Sequence, residues 1–265
     1  MLQPLKAIFL TALFALAVAG QTARRPPIEQ LPFAAGETLA YEAKISRIIQ
    51  GIAVADLVFT VVRSPKGDEL VVKADARSKG TLLKLARYSF LQELESTIAT
   101  GNFRILKTVK HDVQKERVRD SEAKFDYEQR RVTYSESDPK EPMRPPRRIA
   151  SELQGETHDL VSAIYDLRLL PLVVGKTFTI RISDSGLVYD IPVKVAAREK
   201  QKSVLGNLMC FRLEPDVFGP GRLIEREGSM VIWISDDSRR VPIRSQVNAP
   251  FGRVEIRLRS VKNAK

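Results

Sequence analysis

Apolar and polar residues alternate from Leu39 onward. Leu39, Tyr41, Ala43 and Ile45 are separated by Ala40, Glu42, Lys44 and Ser46, the period-two signature of a strand with one buried face. Past Gln50-Gly51, the residues Ala53, Ala55, Leu57, Phe59 and Val61 make a second apolar face, so two long strands form a hairpin. Ser64-Pro65-Lys66-Gly67-Asp68 is a turn by composition, and Leu70, Val72, Ala74 and Ala76 line a third strand. Residues 81–94 read as a short helix followed by a strand. Further strands are predicted over Phe103 to Lys110, around Phe125, and around Tyr134.

Ser135 to Glu156 breaks the alternation. It holds Pro139, Pro142, Pro145 and Pro146, and proline cannot occupy the interior of a sheet ladder. A mobile loop over 135–156 is therefore expected, dividing the chain into two β-rich halves. Thr157 to Leu170 is the one clear helix. Thr157 suits the N-cap, Leu160, Val161, Ile164 and Leu167 form an apolar stripe, and Pro171 ends it. The stripe predicts that Leu160, Ile164 and Leu167 are buried against the sheet. Strands resume at Phe178, Ile180 and Ile182, turn at Asp184-Ser185-Gly186, and continue to a closing hairpin around Asn248 to Gly252. About a dozen strands joined by hairpin-length connections imply an antiparallel sheet rather than βαβ units. So many strands must curl or close to hide their edges. The predicted fold is mainly β: one domain over 33–265, a strongly curved sheet or barrel with one packed helix.

The first residues change the picture of where this domain works. Met1 to Lys6 carries one positive charge, Ala7 to Val18 is apolar, and Ala17-Val18-Ala19 fits the small-residue cleavage rule. The apolar run is shorter than the roughly 20 residues needed to cross a bilayer. A signal peptide over 1–19, cleavage near Ala19, a flexible leader over 20–32 and a periplasmic or extracellular location are expected. The lone Cys210 permits no intramolecular disulfide, and its apolar surroundings predict an inert, packed thiol.

Candidate chemistry is sparse. With only His111 and His158 among 265 residues, imidazole-based catalysis has little material. His158 and Ser162 are four apart on one helix, with no nucleophile elbow. No phosphate-binding loop, dinucleotide fingerprint or metalloprotease motif occurs, and no metal, cofactor or catalytic residue is assigned. The net charge is +11. Export and the lack of aromatic residues interleaved with basic ones argue against nucleic acid and leave anionic headgroups and cell-wall polymers as partners. Arg240 and Arg244 share strand parity, as do Arg253, Arg257 and Arg259, which predicts a basic ridge opposite the apolar faces of the closing hairpin. At the helix end, Arg168 suits the negative pole of the dipole and could tie the helix to the sheet. Trp233 lies opposite Ile232 and Ile234 in parity, so one of those two faces looks somewhere other than the main core, onto a ligand cavity or a packed helix.

Three blocks resemble a known family. They are Pro32-Phe33-Ala34-Ala35-Gly36-Glu37-Thr38-Leu39-Ala40-Tyr41, Asp159 to Arg168 (Asp-Leu-Val-Ser-Ala-Ile-Tyr-Asp-Leu-Arg), and Ile232 to Ile243 (Ile-Trp-Ile-Ser-Asp-Asp-Ser-Arg-Arg-Val-Pro-Ile). In this order, from about Phe33 to Val261, they resemble the bacterial domain-of-unknown-function 3108 family of exported proteins. The resemblance implies a β-rich cell-envelope protein and supplies no catalytic residue. At the level of architecture such chains are similar to periplasmic lipoprotein-carrier half-barrels. The leading expectation is non-enzymatic binding of a lipid, a lipoprotein or another apolar ligand, with Arg168, Tyr165 and Trp233 as candidate contacts. The alternative is an interaction module that grips envelope polyanions or partner proteins through Arg240, Arg244, Arg253, Arg257 and Arg259.

Overall fold

The computed structural model describes residues 31–46, 51–80, 87, 89–250 and 252–263. The expected signal peptide, most of the expected leader and the expected short helix from Thr81 lie outside the described residues. Eight strands precede the helix: β1 (Thr38–Ser46), β2 (Ile52–Arg63), β3 (Glu69–Ser78), β4 (Phe90–Ala99), β5 (Ile105–Gln114), β6 (Arg117–Asp126), β7 (Arg131–Ser137) and β8 (Arg147–Glu152). After α1 (Leu160–Leu167) come β9 (Thr177–Asp184), β10 (Leu187–Ser203), β11 (Gly206–Pro215), β12 (Ser229–Ser235), β13 (Pro242–Ala249) and β14 (Gly252–Lys262).

All fourteen strands form one sheet, ordered β8-β7-β6-β5-β4-β3-β2-β1-β14-β13-β12-β11-β10-β9. Every ladder is antiparallel, and each half of the chain is a simple meander. The halves join where β1 pairs with β14, Thr38 opposite Lys262 and Ser46 opposite Arg253. Register shifts at Ala40/Tyr41, Ala43/Lys44, Val195/Ala197 and Trp233/Ile234 bend and twist their strands, so the sheet curls. The curling is visible in the packing of α1. Its Val161 and Tyr165 join a core with Val61, Leu70, Val72 and Leu94 of β2–β4. Its Ala163 and Leu167 join a core with Ile180, Ile191, Leu213 and Ile232 of β9–β12. Strands far apart in the sheet order thus meet the same helix, and the sheet wraps around it.

The edge strands β8 and β9 share no ladder among the described residues. They are brought together by a seam instead. Asp184-Ser185-Gly186-Leu187 is a two-residue hairpin loop with positive φ at Ser185 (51°) and Gly186 (83°), the backbone of a type I′ turn. Ser151 of β8 donates its hydroxyl to the Gly186 carbonyl at 2.6 Å. Farther along, His158 bridges Ile182 of β9: its N–H reaches the Arg181 carbonyl at 2.9 Å, and its carbonyl accepts from Ser183 N–H at 2.7 Å.

Three expectations are corrected. The loop over 135–156 contains a strand: β8 pairs with β7 from Glu136↔Arg147 to Arg131↔Glu152. All four prolines fall in the connection between β7 and β8, so none interrupts the ladder, and β8 is an edge strand. Leu31, assigned to the flexible leader, is 4% exposed and packs with Phe33. The helix is shorter than 157–170, because its N-cap is Asp159, not Thr157. Asp159 Oδ1 accepts from the N–H groups of Val161 and Ser162 (3.0 and 2.7 Å), and Ser162 Oγ accepts from Asp159 N–H at 2.9 Å, a reciprocal capping box. Thr157 and His158 remain extended beside β9.

The expected burial of the apolar stripe is corrected too: of its three residues Leu167 is buried, Ile164 is half-buried and Leu160 is exposed. Ser162, Tyr165 and Asp166 are buried along with Val161, Ala163 and Leu167, whereas Leu160 is 37% exposed. A helix that a sheet encloses over most of its surface has little solvent face to reserve for polar groups. Leu167→Ala should therefore cost about 2–5 kcal/mol, and Leu160→Ala no more than about 0.5–1 kcal/mol. Urea unfolding of the two variants checks this, and equal losses would refute the placement.

Candidate functional site

The enclosed helix carries its polar groups inward, and each end of it is anchored differently. At the N-terminus, the second carboxylate oxygen of Asp159 accepts from the hydroxyls of Ser96 on β4 and Thr108 on β5, the latter at 2.6 Å. Four donors therefore satisfy one buried carboxylate. Two turns along, Asp166 Oδ2 lies 3.4 Å from Nε2 of His158, with both side chains buried.

At the C-terminus, Arg168 is fully buried and forms a bidentate pair with Glu37, which is equally buried. Nη1 reaches Oε1 at 2.6 Å and Nη2 reaches Oε2 at 2.9 Å. Nη2 also donates to the carbonyls of Pro32 (3.0 Å) and Arg239 (2.9 Å). The guanidinium lies 4.8 Å from the Phe33 ring centroid and 5.2 Å from that of Tyr165. Pro32 and Glu37 come from the first of the three recognised blocks, Arg168 from the second and Arg239 from the third. The blocks, scattered over 200 residues of sequence, meet at one side chain.

Beside this pair lies a cavity of about 150 Å³ between α1 and the sheet. Leu39 and Tyr41 of β1, Leu57 and Phe59 of β2, Met230 and Ile232 of β12, Pro242, Arg244 and Ser245 of β13, and Ile256 of β14 form its sheet wall. Ile164, Tyr165 and Leu167 of α1 and the adjoining Arg168 form its helix wall. The lining is almost wholly apolar. Tyr41 donates its hydroxyl to the Pro242 carbonyl at 2.8 Å. Burial, with the nearby Tyr165 adding to it, raises the Tyr41 pKa far above the usual phenol value. Burial raises Tyr165 as well, reinforced by the Glu37 carboxylate. Both phenols are neutral at any physiological pH.

A family model described as a protein of unknown function, DUF3108, matches residues 40–259. The chain belongs to the DUF3108 family. No curated protein matches this DUF3108 chain. Among solved structures it is similar to a beta-barrel-like protein of domain of unknown function DUF1849 from Brucella abortus. That match has 10% identity and a TM-score of 0.56, and covers 88% of this chain and 99% of the other. A protein with a YmcC-like fold from Bacteroides fragilis matches at 10% identity over 88% and 98% of the two chains, with a TM-score of 0.37. The Brucella likeness concerns the fold: a barrel-like sheet.

Of the side chains singled out from sequence, the DUF3108 fold brings Arg168 and Tyr165 together at the cavity and sets Trp233 apart from them. Trp233 packs with Cys210, Val241 and Ile243, donates Nε1–H to Glu199 at 2.6 Å, and carries the Arg244 guanidinium 4.5 Å from its ring centroid. Cys210 is fully buried, and burial raises its thiol to about 11, helped by Asp237, Asp236 and Glu199.

Four of the five arginines of the expected ridge have a carboxylate within ion-pair distance, three carboxylates between them. Arg244 pairs with Glu255, as does Arg257 at 2.9 Å. Arg259 pairs with Glu42, and Arg240 lies 3.7 Å from Asp236. Arg253 meets the Asn248 side-chain oxygen at 3.3 Å. Burial works against the Glu255 charge, but the Arg257 and Arg244 guanidinium groups outweigh it and hold the carboxyl below its usual range. Hydrogen bonds from Lys79 and Arg259 hold Glu42 at about 2. A row of arginines in sequence is thus a lattice of ion pairs on the sheet, in which five guanidinium groups share three carboxylates and a positive excess remains.

Glu37 and Tyr41 were missed as site residues. Glu37 lies 131 positions from Arg168, and no periodicity links them. The only signal was that both sit in recognised blocks.

Proposed function

We propose that this DUF3108 protein is an exported cell-envelope protein that binds an apolar or amphipathic ligand, such as a lipid or the acyl part of a lipoprotein, without transforming it. The observation that carries the reading is the apolar cavity of about 150 Å³ between α1 and the sheet. A cavity of this size has room for a benzene-sized group, and apolar lining with a few polar groups is the usual make-up of a small-molecule site. Export rests on the charged, apolar and small-residue regions of the N-terminal sequence. The paired state of the ridge arginines makes a polyanion-gripping role the weaker alternative.

The neutral dye N-phenyl-1-naphthylamine, whose fluorescence rises in apolar surroundings, tests the reading. Dye binding is expected for the wild type. It should fall at least about tenfold in Ile164→Phe, where the added ring occupies the cavity, a loss of about 1.4 kcal/mol. The paired Arg253→Gln and Arg257→Gln substitutions should leave it unchanged. Equal dye binding by Ile164→Phe and wild type would remove the cavity from the function.

A further inference from the structure

Three wall residues carry a buried polar atom without a partner; one, Arg244, has its guanidinium over Trp233 and paired with Glu255, and the other two are not explained by an apolar lining. Tyr165 is part of the wall and is 1% exposed, and its hydroxyl has no hydrogen-bond partner. Arg168 is also part of the wall, and its Nε is buried without an acceptor, whereas Nη1 and Nη2 both have acceptors. An arginine Nε–H can only donate, and a phenol hydroxyl donates readily. Buried donors are ordinarily paired. By contrast, Tyr41, the other phenol at the wall, is satisfied by the Pro242 carbonyl. The unmet demand in this cavity is therefore for an acceptor.

Charge narrows the class further. Arg168 and Glu37 are both wholly buried, and both Glu37 oxygens lie on the guanidinium. The pair is already electrically balanced. A ligand carboxylate would place a second negative charge beside Glu37 in a medium that solvates charge poorly. A ligand ammonium would face the Arg168 cation and bring only donors to a wall that already has surplus donors.

We infer that the cavity selects a neutral group bearing a hydrogen-bond acceptor, an ester or ketone carbonyl on a hydrocarbon stretch, with the Tyr165 hydroxyl and Arg168 Nε as its donors. The inference rests on the apolar-ligand reading above and assigns it a chemical class. The cavity volume admits the carbonyl and a few adjoining carbons, so a longer acyl ester would insert only that portion.

Displacement of N-phenyl-1-naphthylamine by size-matched 2-heptanone, octane and hexanoate tests the inference. The ketone should displace the dye at a concentration about tenfold below that of octane, as one added hydrogen bond implies. Hexanoate should be the poorest at neutral pH. In Tyr165→Phe the ketone-to-octane preference should collapse to about twofold or less. The carbonyl carbon of labelled 2-heptanone, followed by NMR in the wild type alone, should move downfield on binding, as it does when it accepts a hydrogen bond. Equal displacement by ketone and octane in the wild type, an unshifted carbonyl, or a preference that survives in Tyr165→Phe would each overturn the assignment while leaving a cavity that binds hydrocarbon. A dye that fails to bind the wild type at all would overturn the apolar-ligand reading instead.

Discussion

Replacing Arg168 by methionine is expected to destabilise the protein by about 3–5 kcal/mol, because it leaves a buried carboxylate without its cation. Glu37 has no solvent access, and its two oxygens are bound to the Arg168 guanidinium. The carbonyls of Pro32 and Arg239 lose a donor in the same change. For a domain of this size each kcal/mol lowers the melting temperature by roughly 2–4 °C, so a fall of roughly 6–20 °C is expected. The paired substitution Glu37→Gln with Arg168→Met should be less damaging than Arg168→Met alone, since it removes the stranded charge as well as its partner. Thermal unfolding of the two variants measures both effects. A melting temperature for Arg168→Met within about 2 °C of wild type would mean that the pair does not hold the helix end to the sheet.

The second large effect is expected at the seam. A Cβ on Gly186 would stand 2.7 Å from Tyr134 Cβ and 2.9 Å from Ile149 Cβ, on a backbone with φ of +83°. Gly186→Ala therefore incurs left-handed strain of about 1–3 kcal/mol and a clash against β7 and β8 of about another 1–3 kcal/mol. Gly206 is the control. Its φ is +95°, with nothing within 4 Å of the added carbon, so Gly206→Ala feels strain without collision. Denaturant unfolding should show Gly186→Ala to be the more damaging by at least about 1 kcal/mol. Hydrogen exchange should also quicken at the His158 and Ser183 amides, whose bonds close the same seam. Equal losses at the two glycines would show that β8 and the β9–β10 turn do not press on one another.

Strand positions were legible because one face of each strand is buried, and period two needs no knowledge of the partner. Tyr41 and Leu39 point inward as their alternation predicts. The Ser185-Gly186 turn was legible from its residue types. The helix was legible as an element but not in its orientation. Its apolar stripe predicted one buried side, yet Ser162, Tyr165 and Asp166 are buried too, because the sheet surrounds the helix and hydrogen bonds replace solvent for those groups. Strand β8 was hidden by prolines that turn out to belong to its connection. The arginine ridge illustrates a different limit. Parity correctly puts Arg244 and Arg257 opposite one another on neighbouring strands, but it does not reveal that Glu255 lies between them and binds both. Site chemistry was least legible where it depends on distance in sequence. Arg168 and Tyr165 were named from the helix, and the acid and the apolar wall that complete their surroundings come from β1, β2, β12, β13 and β14.

The pairing of β1 with β14 sets the order in which this protein can fold. Every other ladder joins strands that follow one another along the chain, and most can zip locally once their turns are made. The β1–β14 ladder alone spans the whole chain, closing a loop of more than 200 residues at the middle of the sheet. Contacts at such separation carry the largest loop-closure entropy and form slowly. A chain emerging from its N-terminal end exposes β1 for the entire time that thirteen further strands take to appear. During that interval one side of β1 is an open edge with unsatisfied backbone groups, the surface on which strands of different molecules pair. The topology therefore makes the first strand synthesised the last to be covered on both of its edges.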